Sequence, residues 1–178
     1  MKYLVISCSL NPNSRSRELA RIVQGQLEDL GHPVEFLDLQ NLPLPLCDGG
    51  SAYGDPNVAK VRDSIDAARG IILAAGIYNY DVNSAAKNLV ELTGRAWSDK
   101  VVGFVCAAGG HGSYMSLMPF ANSLMLDFRC LVIPRFVYSP DIDPEDNVFG
   151  AEAIRRRSED LATELVRVTE GLFPTTEI

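Results

Sequence analysis

Two stretches of this chain are continuously apolar, the pattern of strands covered on both faces. Gly70 to Ala75 reads Gly-Ile-Ile-Leu-Ala-Ala, and Val101 to Ala107 reads Val-Val-Gly-Phe-Val-Cys-Ala. A strand with one face in water alternates apolar and polar residues; a strand sandwiched between two layers does not. Each run is followed by a segment whose apolar residues recur every three or four positions, the period of a helix. Strands that alternate with helices in this way build a parallel sheet with helices on both faces.

The rest of the chain fits that scheme. Tyr3 to Ile6 is a first strand, ending in a polar loop from Ser7 to Ser16. Leu19, Ile22, Val23, Leu27 and Leu30 mark one face of a helix that Gly31 stops. Val34 to Leu37 is a second strand, and the Pro- and Gly-rich segment Asn41 to Asp55 is loop. Asp55-Pro56 is a helix start, with Val58, Val61, Ile65 and Ala68 inward. After the third strand, a loop from Gly76 to Asn83 leads to a helix with Ala85, Ala86, Leu89 and Val90 inward and Gly94 at its end. The fourth strand runs into Ala108-Gly109-Gly110-His111-Gly112-Ser113, then a helix carrying Met118, Ala121, Leu124 and Met125 inward. Cys130 to Ile133 is a fifth strand, Tyr138 to Gly150 a long acidic loop. The last helix starts near Glu152 and turns Ile154, Leu161, Leu165, Val168 and Leu172 inward. Five strands and five helices in 178 residues predict one doubly wound domain over 1–178, with the flavodoxin-like strand order 2-1-3-4-5.

Composition narrows the partners. With 16 Lys+Arg against 23 Asp+Glu, the net charge of −7 lacks the basic footprint of a nucleic-acid binder. No apolar run approaches the ~18–20 residues that span a bilayer, so no membrane partner is expected. The apolar stretch after Lys2 is shorter than the about 7–15 residues of an export signal, which predicts a cytoplasmic protein. Cys8, Cys47, Cys106 and Cys130 are far apart and form no CxxC pair, and there are only two histidines. They read as free thiols in a reducing compartment, and no metal site is expected.

In a sheet of this order, ligands sit beyond the carboxyl ends of the strands, near the reversal of strand order. The loops after strands one, three and four are all unusual. The first reads Ser7-Cys8-Ser9-Leu10-Asn11-Pro12-Asn13-Ser14-Arg15-Ser16 and leads into a helix. A helix N-terminus offers free N–H groups and partial positive charge. Ser9, Ser14 and Ser16 can donate to phosphate oxygens, and Arg15 can add charge. One helix cap needs one such residue; this loop has several. The glycine patterns of P-loops and of dinucleotide-binding turns are absent, which points to a mononucleotide such as FMN. The second loop, Gly76-Ile77-Tyr78-Asn79-Tyr80, can pack against and hydrogen-bond a flat heterocycle. The third sets Gly109, Gly110 and Gly112 around His111, and glycines allow positive φ and close approach of main-chain amides to a ligand.

Taken together these segments resemble the NADPH-dependent FMN reductase family. The resemblance rests on Ser9-Leu10-Asn11-Pro12-Asn13-Ser14-Arg15-Ser16, on Tyr78-Asn79 followed by Lys87-Asn88, and on Gly109-Gly110-His111-Gly112. It implies a flavodoxin-like fold, FMN as cofactor with NADPH or NADH as hydride donor, and a homodimer or homotetramer. It places Ser9, Asn11, Ser14, Arg15 and Ser16 at the phosphate and Ile77, Tyr78 and Asn79 beside the ring. Gly109, Gly110, His111 and Gly112 fall at the ring's pyrimidine end. The chain departs from the family at Asn11, often Arg, at Gly76, usually Pro, and at Asn83-Ser84, usually Pro-Gly or Ser-Gly.

The expected function is an FMN-dependent NAD(P)H oxidoreductase passing electrons to a small-molecule acceptor: a flavin, quinone, azo compound or metal oxyanion. Hydride transfer is the flavin's own chemistry, and no side chain stands out as a general acid or base, so no catalytic residue is assigned. The alternatives are an electron-carrier flavodoxin or a non-catalytic FMN-binding protein. Direct oxidation of NADPH separates the first reading from both.

Overall fold

A computed structural model describes residues 2–140 and 150–174. The strands are β1 (Tyr3–Ser7), β2 (Val34–Asp38), β3 (Gly70–Tyr78), β4 (Asp81–Val82), β5 (Val101–Ala108), β6 (Leu131–Val132) and β7 (Val137–Pro140). The α-helices are α1 (Arg15–Asp29), α2 (Pro56–Ala67), α3 (Ser84–Thr93), α4 (Met118–Phe128) and α5 (Ala151–Leu172).

The sheet runs β2-β1-β3-β5-β6, with β7 continuing beside β5. All these pairings are parallel; only β4 is antiparallel, folded back on the end of β3. The expected order 2-1-3-4-5 is therefore present, with two differences. The third strand does not stop at Ala75 but continues through Ile77 and Tyr78. The fifth strand is in two pieces, of which the sequence reading took only the first. Between Val132, opposite Val102, and Val137, opposite Val105, the edge chain spends four residues where its neighbour spends two. Pro134 offers no N–H to the ladder, and Arg135 sits at φ 61°, so pairing lapses there and resumes at Val137. Of the long acidic loop, Tyr138 to Pro140 are strand, and 141–149 lie outside the described residues.

Alternation along the strands divides the core in two. Leu4, Ile6, Ile71, Leu73, Val102 and Phe104 face α2, α3 and α4; Tyr3, Val5, Ile72, Ala74 and Val105 face α1 and α5. Gly103 lets α5 lie close, since a Cβ there would meet Ile72 Cδ1 at 2.8 Å and Leu161 Cδ1 at 3.0 Å.

The helix signals act as their chemistry requires. Asp55 accepts the Asn57 N–H at 2.7 Å with Pro56 at the first helical position, and Gly31 and Gly94 take positive φ after α1 and α3. Lys100 is buried, its ammonium donating to the carbonyls of Asp66 and Ala68 at 2.7 Å, so the charge closes the end of α2. Several residues expected inward are exposed: Ile22 on α1 and Leu30 just after it, Met118 and Met125 on α4, and Leu172 at the end of α5. On α1 the buried stripe runs through Leu19, Ala20, Val23 and Leu27, so Ile22 and Leu30 lie off it. Among the described residues, no helix is long and apolar enough to cross a membrane.

Candidate functional site

The first loop is tied down by one side chain. Arg17 donates through Nε and Nη2 to Asp38 at the end of β2, at 2.7 and 3.2 Å. The same guanidinium donates to the carbonyls of Asn11 and Pro12 at 2.9 and 3.1 Å, and to that of Ser9 at 3.0 Å. All five N–H bonds are used. The loop's carbonyls are thereby gathered on Arg17, while Ser9, Ser14 and Ser16 line a cleft beyond the sheet. Ser14 is the N-cap of α1: its Oγ accepts the Arg17 N–H at 3.2 Å and lies 3.0 Å from Ser16 Oγ. Asn11 Oδ1 accepts the Asn13 N–H at 2.9 Å. Arg15 also lines the cleft, but its guanidinium donates to the Pro140 carbonyl at 2.9 Å and to Ser139 Oγ at 3.4 Å, at the end of β7.

The second loop is a hairpin. Ile77 and Tyr78, read from sequence as loop, are the last residues of β3 and pair with Val82 and Asp81 of β4. Asn79 and Tyr80 form the two-residue turn with φ of 51° and 64°, the type I′ pattern of tight hairpins. The Tyr78 ring lies over Gly76, where a Cβ would meet Tyr78 Cζ and Oη at 3.2 Å.

Asn83, at the start of α3, holds the hairpin base. Its Oδ1 accepts the Gly76 N–H at 3.2 Å, its Nδ2 donates to the Cys8 carbonyl at 2.8 Å, and its own N–H donates to the Gly76 carbonyl at 2.8 Å. Two departures from the family are thus coupled: a proline at 76 would have no N–H for Asn83 to accept. The Lys87-Asn88 pair faces elsewhere. Lys87 pairs with Glu91 at 3.4 Å, and Asn88 fixes the backbone of Pro45 and Cys47.

The third loop is held from below. Tyr138, buried at the base, donates to the Gly110 carbonyl and hydrogen-bonds Ser113 Oγ at 2.7 Å. Tyr114 stacks on Phe136 at 4.7 Å and meets Tyr138 edge-on at 5.4 Å. None of Gly109, Gly110 and Gly112 has positive φ, so that reason for glycine is not the one operating; Gly110 is extended. What the glycines provide is space. A Cβ on Gly109 or Gly110 would meet nothing within 4 Å, so bare backbone faces the cleft.

The cleft is about 740 Å³ and brings eleven of the twelve expected residues together: Ser9, Asn11, Ser14, Arg15, Ser16, Ile77, Tyr78, Asn79, Gly109, Gly110 and Gly112. His111 is exposed and is not among the lining residues. Tyr80, Asn13, Ala107, Ala108 and Ser113 line it as well. The sequence reading missed Arg17, Asn83 and Tyr138 as determinants of the site. Arg17 alone left a signal: it stands three residues after a serine N-cap, with Asp38 closing the second strand.

The thiols nearby are inert. Burial pushes the Cys8 thiol up strongly, with Cys106 and Asp38 adding to it, and burial takes Cys106 up to about 12. The donors present suit FMN. Hydroxyls at a helix N-terminus match its phosphate, and the unobstructed backbone of the third loop admits a flat ring.

Comparison with known proteins agrees. A probable NADPH:quinone oxidoreductase 1 of Oryza sativa subsp. japonica is 28% identical over 170 residues, covering 88% of this chain and 86% of the relative. An NADPH azoreductase of Bacillus sp. (strain OY1-2) is 25% identical, covering 86% and 84%. The fold is shared with the flavoenzyme NAD(P)H:(acceptor) oxidoreductase from Paracoccus denitrificans (TM-score 0.74, 18% identity, 96% of this chain and 97% of that one). It is shared also with RosB, solved with 8-demethyl-8-formylriboflavin-5'-phosphate (TM-score 0.78, 15% identity, 99% and 82%). Residues 1–142 match a single family throughout, and on that match the chain belongs to the NADPH-dependent FMN reductases.

Proposed function

We propose that the FMN phosphate lies over the N-terminus of α1 and the ring between the β3–β4 hairpin and the Gly109–Gly112 loop. In this reading, electrons from NADPH or NADH are delivered to quinone- or azo-type acceptors. Family membership carries the coarser statement by itself: a flavin-dependent oxidoreductase that uses NAD(P)H. The finer reading is supported by one observation, that a hydroxyl-rich anion site and a wall of unobstructed backbone share one cleft. The acceptor class is taken from the relatives named as quinone and azo reductases.

When bound, FMN supplies the two-electron chemistry. The chain's own part is placement. Ser9, Ser14 and Ser16, with the N-terminal dipole of α1, hold the phosphate. Tyr78 and Asn79 flank the ring and fix its tilt. The amides of the third loop can come close to the ring, where they offset the negative charge that reduction creates. The exposed Met115, Met118, Met125 and Leu126 are read as a contact between copies, in a homodimer or homotetramer.

The test is the visible spectrum of the protein with FMN, followed by stopped-flow mixing with NADPH and with NADH. Turnover is then measured with a benzoquinone and with an azo dye. The reading predicts a flavin spectrum that bleaches on mixing and recovers when the acceptor is added. A bound flavin that neither nicotinamide reduces would instead point to an electron carrier or a non-catalytic FMN-binding protein.

A further inference from the structure

We propose that Tyr80 is a specificity-determining residue: its ring, on a strained backbone at the hairpin tip, is the stacking wall for the flat ring of the electron acceptor. The inference rests on the FMN reading above.

A two-residue hairpin loop with both φ positive favours Asn followed by Gly. Asn79 satisfies the first position. The second is Tyr80 at φ 64°, a conformation that bulky side chains rarely adopt. Such strain persists where the surroundings impose it or the function uses it. Here the surroundings give the side chain little: Tyr80 is 72% exposed, and among the described residues it makes no hydrogen bond or ring pair. Glycine would form the same turn without strain. The fold alone therefore does not account for the aromatic ring.

The cleft does. Tyr80 lines it, and its Oη reaches to 3.6 Å from where a Cβ on Gly112 would stand. The side chain thus extends from the hairpin to the third loop, beside the backbone assigned to the flavin ring. An exposed aromatic face at that place stacks on flat rings with little regard to their substituents, since every such ring has a π-face. That property suits an acceptor site that takes both quinones and azo dyes.

The test compares Tyr80→Gly and Tyr80→Phe with wild type in three measurements. The first is KM for a naphthoquinone against KM for ferricyanide, which presents no flat ring. In the Gly variant we expect the ratio of quinone KM to ferricyanide KM to rise about tenfold, and in the Phe variant to stay within twofold. The second is the urea midpoint of the cofactor-free protein, expected in the Gly variant to equal or exceed wild type. The third is KM for NADPH, expected to change less than KM for the quinone. A quinone-to-ferricyanide ratio unmoved by Tyr80→Gly overturns the proposal. A lowered urea midpoint would make the ring a structural element, and a rise confined to KM for NADPH would give it to the nicotinamide. If the wild type shows no FMN-dependent oxidation of either NADPH or NADH, the broader reading fails and this one with it; if it does and the variants match it, only this one fails.

Discussion

The two ends of the cleft are built in opposite ways. At the α1 end, backbone is lashed to side chains: Arg17 takes three carbonyls and Asp38, and Ser14 caps the helix. At the hairpin end, two adjacent residues hold left-handed backbone, and the aromatic rings of Tyr78 and Tyr80 stand largely exposed. A tied end suits a group that is always the same, such as a phosphate. A loosely furnished end suits rings that differ from one turnover to the next. The third loop is intermediate, open above and pinned below through Tyr138.

The sharpest way to break this contrast is Arg17→Ala. It removes five hydrogen bonds and leaves Asp38, whose side chain is only 9% exposed, without its guanidinium and with the Gln40 N–H and Asn41 Nδ2 as its remaining donors among the described residues. Breaking such a pair costs about 3 kcal/mol, and FMN affinity is expected to fall well beyond tenfold. Urea denaturation and quenching of flavin fluorescence measure the two. Ser14→Ala should come next: about 1 kcal/mol for the lost cap, and about tenfold in FMN affinity for the lost donor. Wild-type affinity in this variant would place the phosphate elsewhere.

Tyr138→Phe tests the intermediate loop. It keeps the ring contact with Tyr114 but frees the Gly110 carbonyl, costing about 1 kcal/mol. A shifted flavin spectrum with a few-fold loss of affinity is expected. Tyr78→Ala should leave FMN bound and protein stability within about 0.5 kcal/mol, while shifting the spectrum and slowing reduction by NADPH. A loss of FMN equal to that of Arg17→Ala would erase the difference between the two ends. Leu126→Glu, at a residue 76% exposed on α4, should hardly move monomer stability but should lower the mass seen by light scattering. An unchanged mass would remove α4 from the contact.

Much of this was legible in the sequence, and what was not has identifiable causes. Capping chemistry is local, so Asp55-Pro56, Gly31 and Gly94 could be placed from neighbours alone. The cleft was legible because strand ends in such sheets converge. The continuation of β3 through Tyr78 was hidden because its turn, Asn79-Tyr80, lacks the glycine that announces a hairpin. Pro134 concealed the return of the fifth strand at Val137. Arg17 reaches Asp38, and Tyr138 reaches Gly110, over separations that no periodicity encodes. The glycines of the third loop were found for two reasons, torsion and close approach of backbone to a ligand, and only the second operates.

The lapse in pairing between β6 and β7 has a consequence away from the cleft. These segments form one rim of the sheet, and a rim of unpaired amides is a template on which other chains can add strands. Run straight from Leu131 to Pro140, it would offer ten residues of apolar and aromatic character as a continuous docking rail. Broken into segments of two and four residues by Pro134 and the left-handed Arg135, it offers none of useful length. The same break brings Phe136 beneath Tyr114, and β7 beyond it is itself buried, so little of this rim is open to another chain.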